Sequence, residues 1–421
     1  MKRVFLKSIA AAALMTCGLV QAQQPVEIVV DYSIPQLFKE VHEKIAQDFM
    51  AKFPQYKVTF RAPSPGYEEA TQQSLRQAVT NQLADVSYQG LNRQRIFADR
   101  GIAVDMTPFI KAEKDWSQMG YDQALLSLGQ VNGKQVGVGF ALSTPIIYFN
   151  ADLIRKAGGN IDQFPATWDG IFELGRKAKA SGPGTHGFHF DWDITGNWMW
   201  QALVFSNGGT MLSVDEKKVA FDGAPGRAAI QTLAKMVNEG TMRDVSSATS
   251  RQDFVSGNLA IWSHSTSNLG SVMKEVGNRF EVRTARFPIQ PGAGRLPAGG
   301  NVAMMFAKDP AKQKAAWEYI KFATGPLGAT SMVKATGYFP ANLIPANDPT
   351  MLKPFYEKNP NYLTAVKQLP VLTGWYAFPG ENGLKITDVI KDRLQTVVSK
   401  AAQPEVALAD MSKAVQALLP R

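Results

Sequence analysis

The sequence predicts an α/β protein built as two layered lobes, and three observations carry that prediction. The first is length: of 421 residues, about 400 follow an N-terminal leader, more than one hydrophobic core organises, so two lobes are the default. The second is a β-α-β-α-β order in the first part of the chain, which argues for a mostly parallel sheet with helices packed on it. The third is a further series of strands and helices from Gly129 onward, with no internal repeat and no low-complexity tract.

The leader is residues 1–22. Lys2, Arg3 and Lys7 precede an apolar run from Ile9 to Val20, and Val20-Gln21-Ala22 leads into polar Gln23-Gln24-Pro25. That layout is a cleaved secretory signal with the mature start near Gln23. The run is short of the ~20 apolar residues a membrane-spanning helix requires. Cys17, the only cysteine, lies inside it. As an acylated lipoprotein residue it would need a box that Leu14-Met15-Thr16 resembles poorly. Without Cys17 the mature chain has no disulfide, thiol nucleophile or cysteine metal ligand. The expectation is a soluble, monomeric protein of the periplasm.

The formal charge of +9 falls to +6 once the three basic leader residues are removed. A positive field of that size attracts anions. No basic run interleaved with aromatics is present, so nucleic acid is not an expected partner.

In order, Val26 to Tyr32 reads as a buried strand. Phe38, Val41, Ile45 and Phe49 recur at spacings of three and four on a helix that Phe53-Pro54 ends. Tyr56 to Phe60 alternates as a second strand, Tyr67 opens a helix to Leu83, and Asp85 to Tyr88 is a third strand. Asn132-Gly133 signals a hairpin. Ile146 to Asn150 is a strand leading into a helix from Asp152 to Ala157, stopped by Gly158-Gly159. Thr167 is an N-cap for the next helix, where Trp168 packs structurally. Helices continue around Trp198–Ser206, Pro225–Gly240 and Arg251–Ser256. Leu259–Trp262 and Gly299–Phe306 are strands, and Pro310–Thr324 and Leu384–Leu419 are helical, the latter broken at Gln403-Pro404.

The catalytic inventory is thin. His42, among charged helix neighbours, reads as a surface residue. His186 and His189 sit three apart in a Gly-rich loop, and a metal there would need two further ligands, so no metal or cofactor is expected. His264 adjoins Ser263 and Ser265, but neighbours in sequence do not generally supply nucleophile geometry. There is no Gly-x-Ser-x-Gly elbow, P-loop or dinucleotide fingerprint. Asp191 and Asp193 are the one carboxylate pair a secreted hydrolase of phosphoesters or glycosides would have to use. The aromatic inventory is richer: Trp192, Trp198 and Trp200 lie beside amides and carboxylates, a composition that suits stacking on a sugar or polyol while its hydroxyls are hydrogen-bonded.

Several segments together carry a family resemblance: Phe140-Ala141-Leu142-Ser143-Thr144-Pro145 before Ile146 to Asn150, Pro165 to Asp169, Phe254 to Ile261, Gly299-Gly300, and Thr336-Gly337-Tyr338-Phe339-Pro340. In their order and spacing the chain resembles the extracellular solute-binding proteins of carbohydrate-type ABC importers, with sn-glycerol-3-phosphate binders nearest in look. The resemblance implies the periplasmic-binding-protein fold, an α/β architecture of two lobes joined by three crossover hinge segments. It places lobe I at 23–140 and 297–337, lobe II at 141–296 and 338–421, and the hinges near Phe140–Ser143, Pro297–Asn301 and Gly337–Pro340. It implies no enzyme activity but capture of a polyol phosphate, glycerophosphodiester or sugar for ABC permease subunits, with a neutral saccharide as the alternative. Carried over residue by residue, the ligand contacts are Tyr67, Ser143, Trp192, Trp198, Ser265, Gly300 and Tyr338. Two positions depart from the pattern: Gln89 stands where those binders have a glutamate, and Thr387 where they have an arginine.

Overall fold

A computed structural model describes residues 24–420; the leader and Cys17 lie outside the described residues. Among the described residues no helix is long and apolar enough to cross a membrane.

The first lobe starts as expected. Strand β1 (Val26–Asp31), helix α1 (Pro35–Lys52), β2 (Tyr56–Phe60), α2 (Tyr67–Val79) and β3 (Val86–Gly90) follow one another. Phe38, Val41, Ile45 and Phe49 are all buried, each side chain contributing roughly 1.5–3 kcal/mol by leaving water. The Asn132-Gly133 turn has positive φ at both residues, as a type I′ hairpin demands. Strand β4 (Gly137–Ser143) then ends one residue before β5 (Pro145–Asn150) begins, and these two strands belong to different sheets.

The second lobe holds α3 (Ala151–Lys156), α4 (Trp168–Ala180), β6 (His186–Phe190), α5 (Trp198–Ser206), α6 (Ala224–Asn238), α7 (Ser247–Val255), β7 (Leu259–Ser265) and β8 (Val282–Arg286). Asn150 caps α3, accepting from the N–H groups of Asp152 and Leu153 at 3.1 Å, and Thr167 caps α4 through Gly170 at 3.3 Å. The chain re-enters the first sheet as β9 (Gly299–Met305), followed by α8 (Pro310–Thr324) and α9 (Pro326–Ala335). Helices α10 (Gly383–Val398) and α11 (Pro404–Gln416) close the second lobe.

The first sheet has the order β2-β1-β3-β9-β4, and the second β8-β5-β7-β6. Neither is mostly parallel. In the first, β1 pairs in parallel with β2 and β3, but β9 is antiparallel to both β3 and β4. Local patterning cannot reveal this, because the antiparallel member arrives from another lobe. At the bulge between Asn301 and Val302, Gly300 has φ +100 and a Cβ there would collide with the Ala141 carbonyl; only glycine serves.

Three connections join the lobes. The first is Thr144, which exchanges bonds with Thr266 and accepts from Gln368. The second passes Leu296–Pro297, paired with Leu372–Thr373. In the third, Phe339 still pairs with Leu142 and Leu343 donates to Gly120 of the first lobe, while Asn361 donates to Val282 of the second.

Two expectations about histidines are overturned here. His42 is 0% exposed, ringed by Tyr32, Phe38, Tyr88 and Phe140. Its position four after Phe38 places it on the apolar face of α1, and burial pushes its pKa down to about 3. His186 and His189 lie on strand β6 rather than in a loop, so a spacing of three points them to opposite faces.

Candidate functional site

Where the lobes meet, the sequence builds a compact polar cluster. Tyr67, the first residue of α2, is buried, and its hydroxyl accepts from Asn301 Nδ2 at 3.2 Å. Burial raises the Tyr67 phenol, and the neighbouring Tyr338 adds to that shift. Burial likewise raises Tyr338, against the opposing hydrogen bonds of Tyr67 and Ser267. Both phenols therefore stay protonated and able to donate. Gly90 lies between the Tyr67 ring and Asn92: a Cβ there would come to 3.0 Å and 3.1 Å of them.

The second lobe answers with indoles. Gly196 and Asn197 take successive left-handed conformations before α5, a turn that sets Trp198 at the helix start. A Cβ on Gly299 would lie 2.6 Å from Ser143 Oγ and 2.9 Å from the Trp198 ring, so serine, indole and crossover backbone share one spot. Trp375 completes the wall, 6.2 Å from Trp198 between ring centres and donating to Gly196 O at 3.2 Å. Gln201 of α5 pins this segment, accepting from the Tyr376 N–H at 2.9 Å and donating to its carbonyl at 3.1 Å.

Several buried polar atoms here have no hydrogen-bond partner: Trp198 Nε1, Asn301 Oδ1, Asn92 Oδ1, Asn197 Oδ1 and Arg93 Nε. Buried polar groups are normally satisfied, and each orphan costs on the order of 1–3 kcal/mol. These five border the interface between the lobes, where a polar guest could meet them, whereas other unpartnered atoms, such as the His42 ring nitrogens and Tyr88 OH, lie inside the first lobe. Contacts between lobes surround it. Glu68 accepts from Arg93 of its own lobe and from the Thr195 hydroxyl of the other. Burial works to raise the Glu68 carboxyl, but Arg93 and Thr195 hold it below the ordinary range. Arg95 grips Glu216 with two bonds of 2.5 and 2.6 Å, and Tyr376 OH donates to the same carboxylate at 2.9 Å. A cavity of about 910 Å³, lined by Leu91, Arg95, Phe205, Glu216, Trp375 and Tyr376 among others, opens beside this bridge. A smaller one of about 240 Å³ lies on the other side of Arg95, between residues 71–100 and the start of α10.

Of the nine expected contacts, Tyr67, Ser143, Trp198, Gly300 and Tyr338 are brought together, and the other four stand apart from that cluster. Gln89 is turned into the first lobe, accepting from Thr71 and donating to Ser74 and Ser87; it ties α2 to β3 with both amide hydrogens engaged. Ser265 caps the short turn after β7 by accepting from Ser267 N–H at 3.1 Å, and it is Ser267 whose hydroxyl meets Tyr338. Thr387 lines the smaller cavity, its hydroxyl donating to Leu384 O at 2.7 Å. Trp192 is buried just beyond β6. Asn92, Asn301 and Trp375 were missed. A lone amide in the apolar run Val302 to Met305 was the available signal for Asn301, and the adjacent aromatics Trp375-Tyr376 for the other wall.

Of the two hydrolase carboxylates, Asp191 is otherwise employed. Asp191 is fully buried and receives Trp262 Nε1 at 2.8 Å, Ser250 Oγ at 3.0 Å, His189 at 3.1 Å and His264 at 3.2 Å. Burial acts to raise Asp191, yet His264, His189 and Ser250 keep it below its ordinary value. His264 Nδ1 accepts from the Ser265 N–H at 2.6 Å and Asn268 at 2.8 Å, which leaves no lone pair to activate a serine. Among the described residues no group of three or more His, Cys, Asp or Glu could hold a metal ion.

Two α/β lobes with a polar, aromatic-walled interface define a two-lobed binding protein. The family model described as bacterial extracellular solute-binding protein matches residues 44–364, and the chain belongs to that family. It is 25% identical over 293 residues to the sn-glycerol-3-phosphate-binding periplasmic protein UgpB of Rhizobium meliloti (strain 1021), covering 66% of each; the match thus spans just under two thirds of that relative's length. Against the protein of that name from Escherichia coli (strain K12) it is 25% identical over 406 residues, covering 89% of this chain and 87% of the relative. Among solved structures, UgpB from Mycobacterium tuberculosis in complex with glycerophosphocholine superposes with a TM-score of 0.81 at 21% identity, over 94% of this chain and 98% of that one. The cyclic alpha-maltosyl-1,6-maltose binding protein from Arthrobacter globiformis gives 0.78 at 20%, over 94% and 99%. These structures establish the shared fold.

Proposed function

We propose that this chain is the solute-capturing subunit of an ABC importer, acting in the periplasm without transforming what it binds. The favoured guest is a small polyol phosphate, glycerol 3-phosphate or a glycerophosphodiester. The observation that carries this reading is the set of orphaned donors and acceptors between the lobes, Trp198 Nε1, Asn301 Oδ1, Asn92 Oδ1 and Asn197 Oδ1. Indole N–H groups pair with ligand oxygens and amide carbonyls with ligand hydroxyls, so a molecule with several hydroxyls completes the site. The names of the relatives point the same way.

Mechanistically, the guest touches both lobes only when they are closed, and its binding energy shifts the population toward closure. Moving from mostly open to mostly closed requires about 5 kcal/mol of differential affinity, within reach of several hydrogen bonds at ~1 kcal/mol each plus stacking. The division into 23–140 with 297–337 and 141–296 with 338–421 is the working hinge scheme, and the closed shape is what a permease would recognise. A neutral saccharide is the second reading, favoured by the Trp198–Trp375 wall and the adjoining cavity of about 910 Å³.

The test is a thermal-shift and calorimetric panel of sn-glycerol 3-phosphate, glycerophosphocholine and maltose, with product analysis of each mixture. A true ligand at 100 times its Kd stabilises by roughly 2.7 kcal/mol and is recovered intact. A cooperative melt that no solute moves, or turnover of any of them, would overturn the reading.

A further inference from the structure

We propose that Arg95 and Glu216 form a latch that holds the two lobes together ahead of solute capture, with Tyr376 tying the latch to the indole wall of the site. This rests on the reading above and adds to it a pair of positioning residues that touch no solute.

The latch crosses the division between the lobes. Arg95 stands on the short helix Gln94–Asp99 of the first lobe, and Glu216 on a loop of the second that precedes α6. Both terminal nitrogens of the guanidinium meet the two carboxylate oxygens, at 2.5 and 2.6 Å, the parallel fork that is the strongest arrangement for this pair. Among the described residues one other ion pair crosses the division, Arg100 with Glu381, and it is 4.0 Å apart and more exposed.

Glu216 is held in place at a conformational cost. Its φ is +58, in the left-handed region that a residue other than glycine keeps only where its surroundings impose it. The Ser213 N–H donates to Lys218 O and the Glu216 N–H to Ser213 O, both at 2.8 Å. Gln416 of α11 clamps the loop from outside, accepting from the Val219 N–H at 2.9 Å and donating to Lys217 O at 2.8 Å. A loop fixed this firmly presents its carboxylate to the other lobe with little freedom left to lose on pairing.

Each half also keeps a partner in its own lobe: Arg95 Nε has Asp99 at 3.4 Å, and Glu216 has the Tyr376 hydroxyl at 2.9 Å. Separating the lobes strands neither charge, so the contact can break and re-form. Tyr376 is bonded through both backbone groups to Gln201 of α5, next to the Trp198–Trp375 wall. A guest that orders this wall orders the latch, and by linkage the latch raises affinity for the guest.

The experiment compares the full chain with Glu216→Gln, Arg95→Gln, the double variant and, as a control, Glu275→Gln, which breaks a similar fork to Arg251 inside the second lobe. The radius of gyration is measured by small-angle scattering without solute, in low salt and in ~1 M salt, and affinity for sn-glycerol 3-phosphate and for maltose by calorimetry. Glu216→Gln and Arg95→Gln are expected to expand the solute-free protein in low salt and to weaken whichever solute the wild type binds by about threefold to fivefold. Together they do no more than either alone, wild type in ~1 M salt expands to match them, and Glu275→Gln behaves as wild type. Glu216→Gly, which relieves the backbone, should melt no lower than Glu216→Gln and bind as weakly, a separation that a purely structural loop would not give. An unchanged radius in Glu216→Gln, additive losses in the double variant, or the same change from Glu275→Gln overturns the latch. Wild type that binds neither solute removes the functional reading, while the solute-free radii still decide the latch.

Discussion

Two buried polar regions of this molecule stand a short way apart in sequence and differ in kind. Around Asp191, each carboxylate oxygen is met: an indole, a hydroxyl and two imidazoles converge on one side chain. Around Trp198 and Asn301, comparable groups are equally buried and go unmet. The satisfied region is a structural hub that orders the β6, β7 and α7 layer, while the unmet one keeps its hydrogen-bonding capacity for a guest. Burial of polar residues does not by itself locate a binding site; unmet valences point to one only where, unlike those of His42, they border the interface between the lobes.

Ways to break or sharpen that contrast follow from the largest effect down. Asp191→Ala should be the most damaging substitution, costing about 3–5 kcal/mol of stability because it strands several buried donors; a denaturant midpoint close to wild type would refute the hub. His42 sharpens the contrast from another side, since both its ring nitrogens are also unpartnered, but among aromatics within one lobe. Its folded pKa, pushed down to about 3, lies below the ordinary imidazole value. The unfolded chain therefore binds the extra proton first, and the stability it contributes is complete above pH 6.5 and drains as pH falls toward 3. Wild type should lose about 1.4 kcal/mol per pH unit below 6.5 from this residue, and His42→Phe should flatten that slope in denaturation curves at pH 7 and pH 4.5. Identical slopes would mean that His42 is hydrated.

In the unmet region the expectation reverses. Trp198→Phe keeps the ring and removes the N–H, so the melting temperature should stay near wild type while solute affinity falls about tenfold, as loss of one hydrogen bond implies. Trp192→Ala removes a buried ring, so it should cost about 3–5 kcal/mol of stability as well as abolish solute-induced fluorescence changes; unchanged affinity removes that residue from the site. Smallest of all is Glu216→Gln. The Arg95–Glu216 bridge is partly exposed, and its loss should cost about 1 kcal/mol or less, diminishing further in high salt and read as a modest expansion by small-angle scattering.

Much of the first lobe was legible because its elements are locally consistent. The spacing of Phe38, Val41, Ile45 and Phe49 announces α1, and Asn132-Gly133 announces its turn. His42 was misread from its charged neighbours although its i+4 relation to Phe38 placed it inward. Strand β6 was misread as a loop because Gly187 suggested a turn; the glycine is there for packing, since a Cβ would run into the Gly175 backbone of α4. The site was half legible. Tyr67, Ser143, Trp198, Gly300 and Tyr338 converge, yet side-chain direction is a tertiary property: nothing local states that Gln89 turns toward Ser74 and Ser87, or that Ser265 spends its hydroxyl on a cap and leaves Tyr338 to Ser267. The antiparallel return of β9 was hidden for the same reason, since its partners lie far away in sequence.

The most direct measurement is the indole N–H resonance of Trp198 in 15N-labelled protein, assigned by its disappearance in Trp198→Phe, followed through a solute titration. If a hydroxylated guest completes the unmet valences between the lobes, that resonance moves and saturates with the calorimetric binding curve. A solute that binds to saturation while the Trp198 resonance stays where it was would contradict it.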